Sequence, residues 1–182
     1  MQECGAGLVP VRFDDDRLAF SAPPRLRSGP VDPDTLAAVV EILGIRREQV
    51  VDAEWLDNGP GWVGLLLDHA GTVLELRPDA SAHPGRWDIG VIGAHEPGSE
   101  AAFELRAFFT EGAGPLREDP VTGSLNAAAA EWLLATGRSQ APYVAAQGAA
   151  MGRQGRIHIS REDGRLWVGG RAEVVLSGTA AF

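Results

Sequence analysis

The chain has 182 residues, 45% of them hydrophobic, a formal net charge of −9 and a sequence pI near 4.9. That length and apolar share suffice for a substantial core, while an acidic balance with sixteen scattered basic residues speaks against nucleic-acid and anionic-membrane partners, which require a basic face. A single cysteine, Cys4, leaves no internal disulfide framework and fits a reducing, cytoplasmic setting, and no apolar run approaches a membrane span.

The first residues carry an acid, Glu3, where a secretory leader has its basic region, so no leader is expected. Cys4 itself reads as a small half-buried residue. A β-hairpin is expected from 7–13 and 17–22, joined by the polar turn Asp14-Asp15-Asp16; three adjacent acids in such a turn do not converge on a metal. Residues 23–30, Pro-Pro-Arg-Leu-Arg-Ser-Gly-Pro, form an extended connector and a domain boundary.

A helix follows, with Asp32 as N-cap, Pro33 in its first turn, Leu36, Val39, Val40 and Leu43 on one face and Gly44 as the stop. It is an amphipathic surface helix without a functional role. Strands are expected at 49–55, 62–68 and 72–76, with turns at Asn58-Gly59-Pro60-Gly61 and His69-Ala70-Gly71, the whole forming an antiparallel meander. After a polar loop over 78–86, two more strands, 87–94 and 101–109, flank the turn Glu96-Pro97-Gly98-Ser99. His69, His83, His95 and His158 read as loop or surface residues.

The pattern then changes to helix over about 123–136. Leu125, Ala127 to Ala130, Trp132, Leu133 and Leu134 leave polar residues only at Asn126 and Glu131, so this helix is buried on most faces, and its alanines favour a sheet wrapped around it. Gly137 ends it. Strands at 143–147, 155–160, 165–169 and 173–176 close the chain, with Asp163-Gly164 as a hairpin turn.

The segment Glu118-Asp119-Pro120-Val121-Thr122-Gly123-Ser124 is the chemical centre of interest. Asp119 precedes a proline and is held out of helix on a turn. Thr122, Gly123 and Ser124 set free N–H groups and hydroxyls at the positive end of the helix dipole, where a carboxylate or phosphate binds. A substrate carboxylate resting there would have its α-carbon acidified, because charge flowing into it on deprotonation meets fixed dipoles. The alternative is that Asp119 and Ser124 only cap the helix.

This segment, together with Phe103-Glu104-Leu105-Arg106-Ala107-Phe108-Phe109, Gln147-Gly148, Met151-Gly152-Arg153-Gln154-Gly155-Arg156, Val168-Gly169-Gly170 and Ser177-Gly178-Thr179, resembles the phenazine-biosynthesis PhzF-like family. Residues 2–11 resemble a strand from the middle of that family's first domain. The resemblance implies an α+β, diaminopimelate-epimerase-like fold in which strands wrap a central helix. The chain would hold one complete domain and part of a second: a remnant hairpin over 1–27, a complete carboxyl-terminal domain over 28–171, and a final strand over 172–182.

The resemblance also implies a biosynthetic isomerase that works without metal or organic cofactor, moving a proton on a small carboxylated metabolite in the cleft between two domains. Asp119 and Ser124 match the catalytic positions, and Glu118, Thr122 and Gly123 the substrate-binding ones. Asp119 stands where the related epimerases have one cysteine of a proton-exchanging pair. The family's acid–base glutamate and an accompanying histidine precede the part matched here, and none of the four histidines replaces the latter. The expected partners are a separate amino-terminal half chain or a second copy in a homodimer; a non-catalytic anion-binding module is the other possibility.

Overall fold

The structure, a computed structural model, describes residues 1–14, 16–112, 114–173 and 175–179. Strands β1 (Gln2–Cys4) and β2 (Gly7–Val9) form their own two-stranded ladder. Cys4 in β1 is exposed, not half-buried as the sequence suggests. Pro10 separates β2 from β3 (Val11–Asp14), which makes the expected hairpin with β4 (Arg17–Ser21). Of its turn acids, Asp15 lies outside the described residues. This hairpin is continuous with the main sheet, because β4 pairs antiparallel with the last strand, β12 (Arg165–Arg171).

Helix α1 (Pro33–Leu43) forms as its punctuation predicts: Asp32 accepts a hydrogen bond from the Thr35 N–H, and Gly44 closes the helix at φ 66°. Strands β5 (Val50–Trp55) and β6 (Val63–Leu67) pair antiparallel. The strand expected at 72–76 is instead helix α2 (Ala70–Glu75), and the expected turn at 69–71 is its start. Val73 and its neighbours suggested β structure, but the imidazole of His69 accepts from the Gly71 N–H and caps a helical turn. Gly93 on the facing strand completes the arrangement: a Cβ there would lie 2.5 Å from the His69 carbonyl oxygen.

That short helix converts the expected meander into a crossover, so β7 (Asp88–Ala94) lies parallel to β6. Strand β8 (Phe103–Thr110) returns antiparallel to β7. Then follow β9 (Leu116–Asp119), α3 (Gly123–Ala135), β10 (Tyr143–Gln147) and β11 (Gly155–Glu162). The strand order is β3-β4-β12-β11-β10-β8-β7-β6-β5, with β9 pairing β8 alongside β10. Glu173, Val175 and Leu176 are in no strand, unlike the expectation for 173–176; Val174 and 180–182 lie outside the described residues.

The sheet wraps α3 as its alanine-rich sequence implies. Leu125, Ala127 to Ala130, Trp132 and Leu133 share one core with Leu66, Ile92, Leu105, Ala145, Ile157 and Val168, drawn from six strands. On the other face, Val39, Ile42 and Leu43 of α1 and Val73 of α2 meet Val63, Leu65, Ile89, Val91 and Phe108. Strands β6 to β8 are therefore covered on both sides, which explains their nearly continuous apolar sequences. No helix among the described residues is long and apolar enough to cross a membrane.

Candidate functional site

The site is built where two strands end beside β8. Strand β8 pairs with β10 over its first half, where Leu105 meets Gln147, and with β9 over its second half, where Ala107 meets Asp119. Strands β9 and β10 run toward each other along this edge, so Asp119 and Gln147 meet at their ends. Leu116-Arg117-Glu118-Asp119 carries too many charges to read as a strand; it forms because half of β8 would otherwise have an unpaired edge. Asp119 is thus the last residue of a strand, and the turn begins at Pro120.

A closed network holds the corner. Thr122 Oγ1 donates to Asp119 Oδ2 at 2.6 Å. Gln147 Nε2 donates to the Asp119 carbonyl at 2.9 Å and to Thr122 Oγ1 at 3.0 Å, while its Oε1 accepts from the Thr122 N–H at 3.1 Å. Asn126 Nδ2 adds bonds to Gln147 Oε1 at 2.8 Å and to the Thr122 carbonyl at 2.9 Å. Gln147, Asn126 and Thr122 are all buried; each finds partners inside the network, as burial of polar groups requires. Gly148 lets the strands approach: at φ 92° it takes a left-handed conformation, and a Cβ would sit 2.6 Å from the Pro120 carbonyl oxygen.

Ser124 is positioned from another direction. The connection between β5 and β6 brings Trp62 Nε1 to within 3.0 Å of Ser124 Oγ, as donor, and Asn58 Nδ2 to within 2.9 Å of the Ser124 carbonyl. Its hydroxyl, accepting from Trp62, keeps its own proton to donate. The Thr122 N–H is already committed to Gln147, so the helix offers the N–H groups of its first turn proper to a ligand. Gly123 and Val121 line a cavity of about 440 Å³ with Phe20 of β4 and residues of β11 and β12. The edge of the Phe20 ring is 3.4 Å from where a Gly123 Cβ would stand.

Of the residues singled out from sequence, the structure brings Asp119, Thr122, Gly123 and Ser124 to one corner and sends Glu118 elsewhere. Alternation in β9 puts Glu118 on the opposite face, where both its oxygens accept from Arg106, at 2.9 Å from Nε and 2.7 Å from Nη2. Arg106 Nη1 in turn donates to the carbonyls of Val73 and Leu76 at the end of α2. Glu118 thereby balances a buried guanidinium.

Sequence reasoning missed the roles of Gln147, Asn126, Trp62, Asn58 and Phe20. Its available signal was the lone Asn126 in an alanine helix and the lone Gln147 closing an apolar strand. The histidines have structural partners: His69 pairs with Glu96, His83 with Glu41 and His95 with Glu104, while His158 lies within β11. Among the described residues, no group of three His, Cys, Asp or Glu side chains could hold a metal ion.

A family model described as phenazine biosynthesis-like protein matches residues 1–182. Three solved structures share the fold. A phenazine biosynthesis protein of the PhzF family from Enterococcus faecalis is 22% identical with a TM-score of 0.65, covering 98% of this chain and 63% of its own. A PhzF-family protein from Bacillus anthracis is 14% identical with a TM-score of 0.66, over 91% and 62%. A protein described as a predicted epimerase from Pseudomonas aeruginosa is 19% identical with a TM-score of 0.58, over 93% and 63%. The chain therefore spans less than two thirds of the length of each. No curated protein matches the sequence.

Proposed function

The chain belongs to the phenazine biosynthesis-like protein family, and from that premise we propose that it forms one wall of a proton-transfer site for a small carboxylated metabolite. The reaction class is an isomerisation or epimerisation that proceeds by moving a proton between carbons, without metal or organic cofactor. The substrate carboxylate rests against the first turn of α3 and takes a hydrogen bond from the Ser124 hydroxyl. Fixed N–H dipoles there stabilise the charge that builds up when the neighbouring carbon loses its proton. Asp119 faces the same substrate and orients or relays the proton.

The observation that carries this reading is the network around Asp119. Three buried polar side chains, Thr122, Asn126 and Gln147, are committed to the corner that holds a single carboxylate beside a helix start. Helix capping alone needs no such arrangement: the N-cap of α1 is made by Asp32 alone.

A proton shift requires a second acid–base group on the far side of the substrate, and we assign it to a second polypeptide. That wall comes from an amino-terminal half chain or from a second copy in a homodimer. Two features support it: the chain spans about 63% of its structural relatives, and Leu8 and Phe13, on β2 and on the end strand β3, are 66% and 83% exposed. The expected compartment is the cytoplasm.

The test is deuterium uptake at Cα in D2O, followed by proton NMR across a panel of small amino and hydroxy acids. The chain alone, held monomeric as checked by size-exclusion chromatography, is expected to give no uptake. Addition of the amino-terminal segment of a longer family member should start it, and Asp119→Asn should stop it. Uptake by the monomeric chain would sink the two-wall assignment, and full activity in Asp119→Asn would remove Asp119 from the chemistry. Tight carboxylate binding with no uptake under any pairing would favour a non-catalytic anion-binding module.

A further inference from the structure

The face of the sheet that meets α3 continues past the helix start as an apolar wall. Phe20 in β4 stands opposite Val168 in β12, and Leu18 opposite Gly170. Val168 pairs with Ile159 of β11, and alternation carries the same face to Ile157 and Gly155. Ile157 and Val168 belong to the α3 core and Phe20 packs against it, which fixes the face that these positions share. Arg17 and Arg171, opposite each other in the same two strands, project to the other face.

Leu18, Phe20, Gly155, Ile157, Val168 and Gly170 line the cavity of about 440 Å³ that Val121 and Gly123 close at the start of α3. A Cβ on Gly155 would stand 2.6 Å from Val121 Cγ2, so Val121 leans over β11, and a Cβ on Gly123 would be 3.4 Å from the Phe20 ring. Phe20 and Val121 thus both adjoin the helix start. Leu18 and Val121 are 37% and 48% exposed, and the hollow between them is unfilled. A few convergent N–H groups set in an apolar hollow of this volume are the composition of a small-molecule site. On the α3 face of β4, β11 and β12, no charged side chain among the described residues lines the cavity. A second negative charge on the ligand would have no partner there and would share the corner with the carboxylate of Asp119, an arrangement that desolvation disfavours.

We propose that this wall selects the metabolite by the group beyond its carboxylate: the site takes a compact, uncharged, apolar body and rejects a second anionic group, with Phe20 and Val121 as the specificity-determining residues. This rests on the carboxylate site proposed above for one end of the ligand and adds the chemistry of the other end. The driving force is removal of apolar surface from water, about fourfold in affinity for each methylene buried. The wall therefore ranks ligands whose carboxylates bind alike, as apolar pockets do.

The test is titration of the 182-residue chain, followed by backbone amide NMR, with acetate, isovalerate, glutarate and isoamyl alcohol, repeated on Val121→Thr and on Phe20→Ala. Isovalerate is expected to bind about tenfold or more tightly than acetate, with shifts centred on Phe20, Val121 and Gly123, and glutarate no more tightly than acetate. Val121→Thr, which keeps the shape and adds a hydroxyl, should lower the isovalerate-to-acetate ratio by about threefold or more, and Phe20→Ala should remove most of it. A wild-type ratio near one, glutarate binding more tightly than isovalerate, or an unchanged ratio in both variants would overturn the wall's role. The two proposed sites fail separately. If isoamyl alcohol shifts Phe20 and Val121 while acetate does not bind, the wall stands and the carboxylate site falls; acetate binding at Gly123 with no gain from isovalerate gives the reverse, and no binding by any probe removes both. A dimer on size-exclusion chromatography in which Phe20 and Val121 do not respond to isovalerate would show that a second copy covers the wall, which also overturns the proposal. Melting temperatures control for folding; if Phe20→Ala unfolds, Val121→Thr alone carries the comparison, since Val121 is half-exposed.

Discussion

Thr122 Oγ1 lies 2.6 Å from Asp119 Oδ2, a bond that ties the N-cap of α3 to the last residue of β9 across a two-residue turn. The same oxygen accepts from Gln147 Nε2 at 3.0 Å. With the Thr122 proton directed at Asp119 and a lone pair at Gln147, the hydroxyl fixes both the carboxylate and the strand end that faces it. Local sequence, helix start and a distant strand are thereby joined through one atom.

Replacing Thr122 with valine keeps the shape and removes this atom. The buried amide of Gln147 then loses one acceptor and Asp119 its donor. The expected loss of stability is about 1–3 kcal/mol, read from urea unfolding at neutral pH. Thr122→Ser, which keeps the hydroxyl, should recover most of it. Equal loss in both variants would assign the effect to packing.

Glu118→Gln leaves the Arg106 guanidinium, whose side chain is only 6% exposed, without its charged partner. Breaking one side of such a pair is expected to cost about 3 kcal/mol. Arg106→Met/Glu118→Leu, which removes both charges, should be much closer to wild type. The effect should fall on stability and leave carboxylate affinity unchanged, since Glu118 faces away from the cavity; a change in affinity measured by titration would return Glu118 to the site.

Burial raises the carboxyl of Glu104 above its ordinary range, against the opposing pull of His95 and then of Arg156 and Arg106. A carboxyl whose folded pKa exceeds its unfolded one binds more protons in the folded state, so its contribution falls as pH rises from the unfolded pKa through the folded one. Glu104→Gln should therefore be more stable than wild type at pH 7, and the gap should close as pH falls toward 4. Melting temperatures across that window check the sign; a variant less stable than wild type at pH 7 would show that the His95 pair outweighs desolvation.

Gly148→Ala places a methyl 2.6 Å from the Pro120 carbonyl oxygen, at a residue with φ 92°. Left-handed backbone alone costs about 1–2 kcal/mol for a non-glycine residue, and the contact adds to it. Because Gly148 follows Gln147 directly, the displacement should also loosen the Asp119 corner. The predicted result is lower stability together with weaker carboxylate binding, whereas lower stability with unchanged binding would uncouple the two.

Much of the fold can be read along the chain because local rules act over a few residues. Asp32, Pro33 and Gly44 bound α1, Asp163-Gly164 turns β11 into β12, and the alanine run of α3 announces a helix enclosed by sheet. The misreadings arose where a partner far away decides the local state. Residues 70–75 are helical because His69 caps them and Gly93 makes room, and β9 exists because β8 needs a partner along its second half.

The candidate site divides in the same way. The sequence by itself determined a small polar turn running into a buried helix, with Asp119, Gly123 and Ser124 beside an N-terminus that attracts anions; turn and dipole chemistry depend only on neighbouring residues. Only the tertiary structure decided which acid belongs to the corner. Strand alternation sends Glu118 to Arg106 and keeps Asp119, and the meeting of β9 with β10 supplies Gln147 from 28 residues further on. It also brought together arginines that are far apart in the sequence, because Arg17 and Arg171 become neighbours only through the register of β4 with β12. Charge proximity and hydrogen-bond closure depend on distance in space, which chain order does not carry.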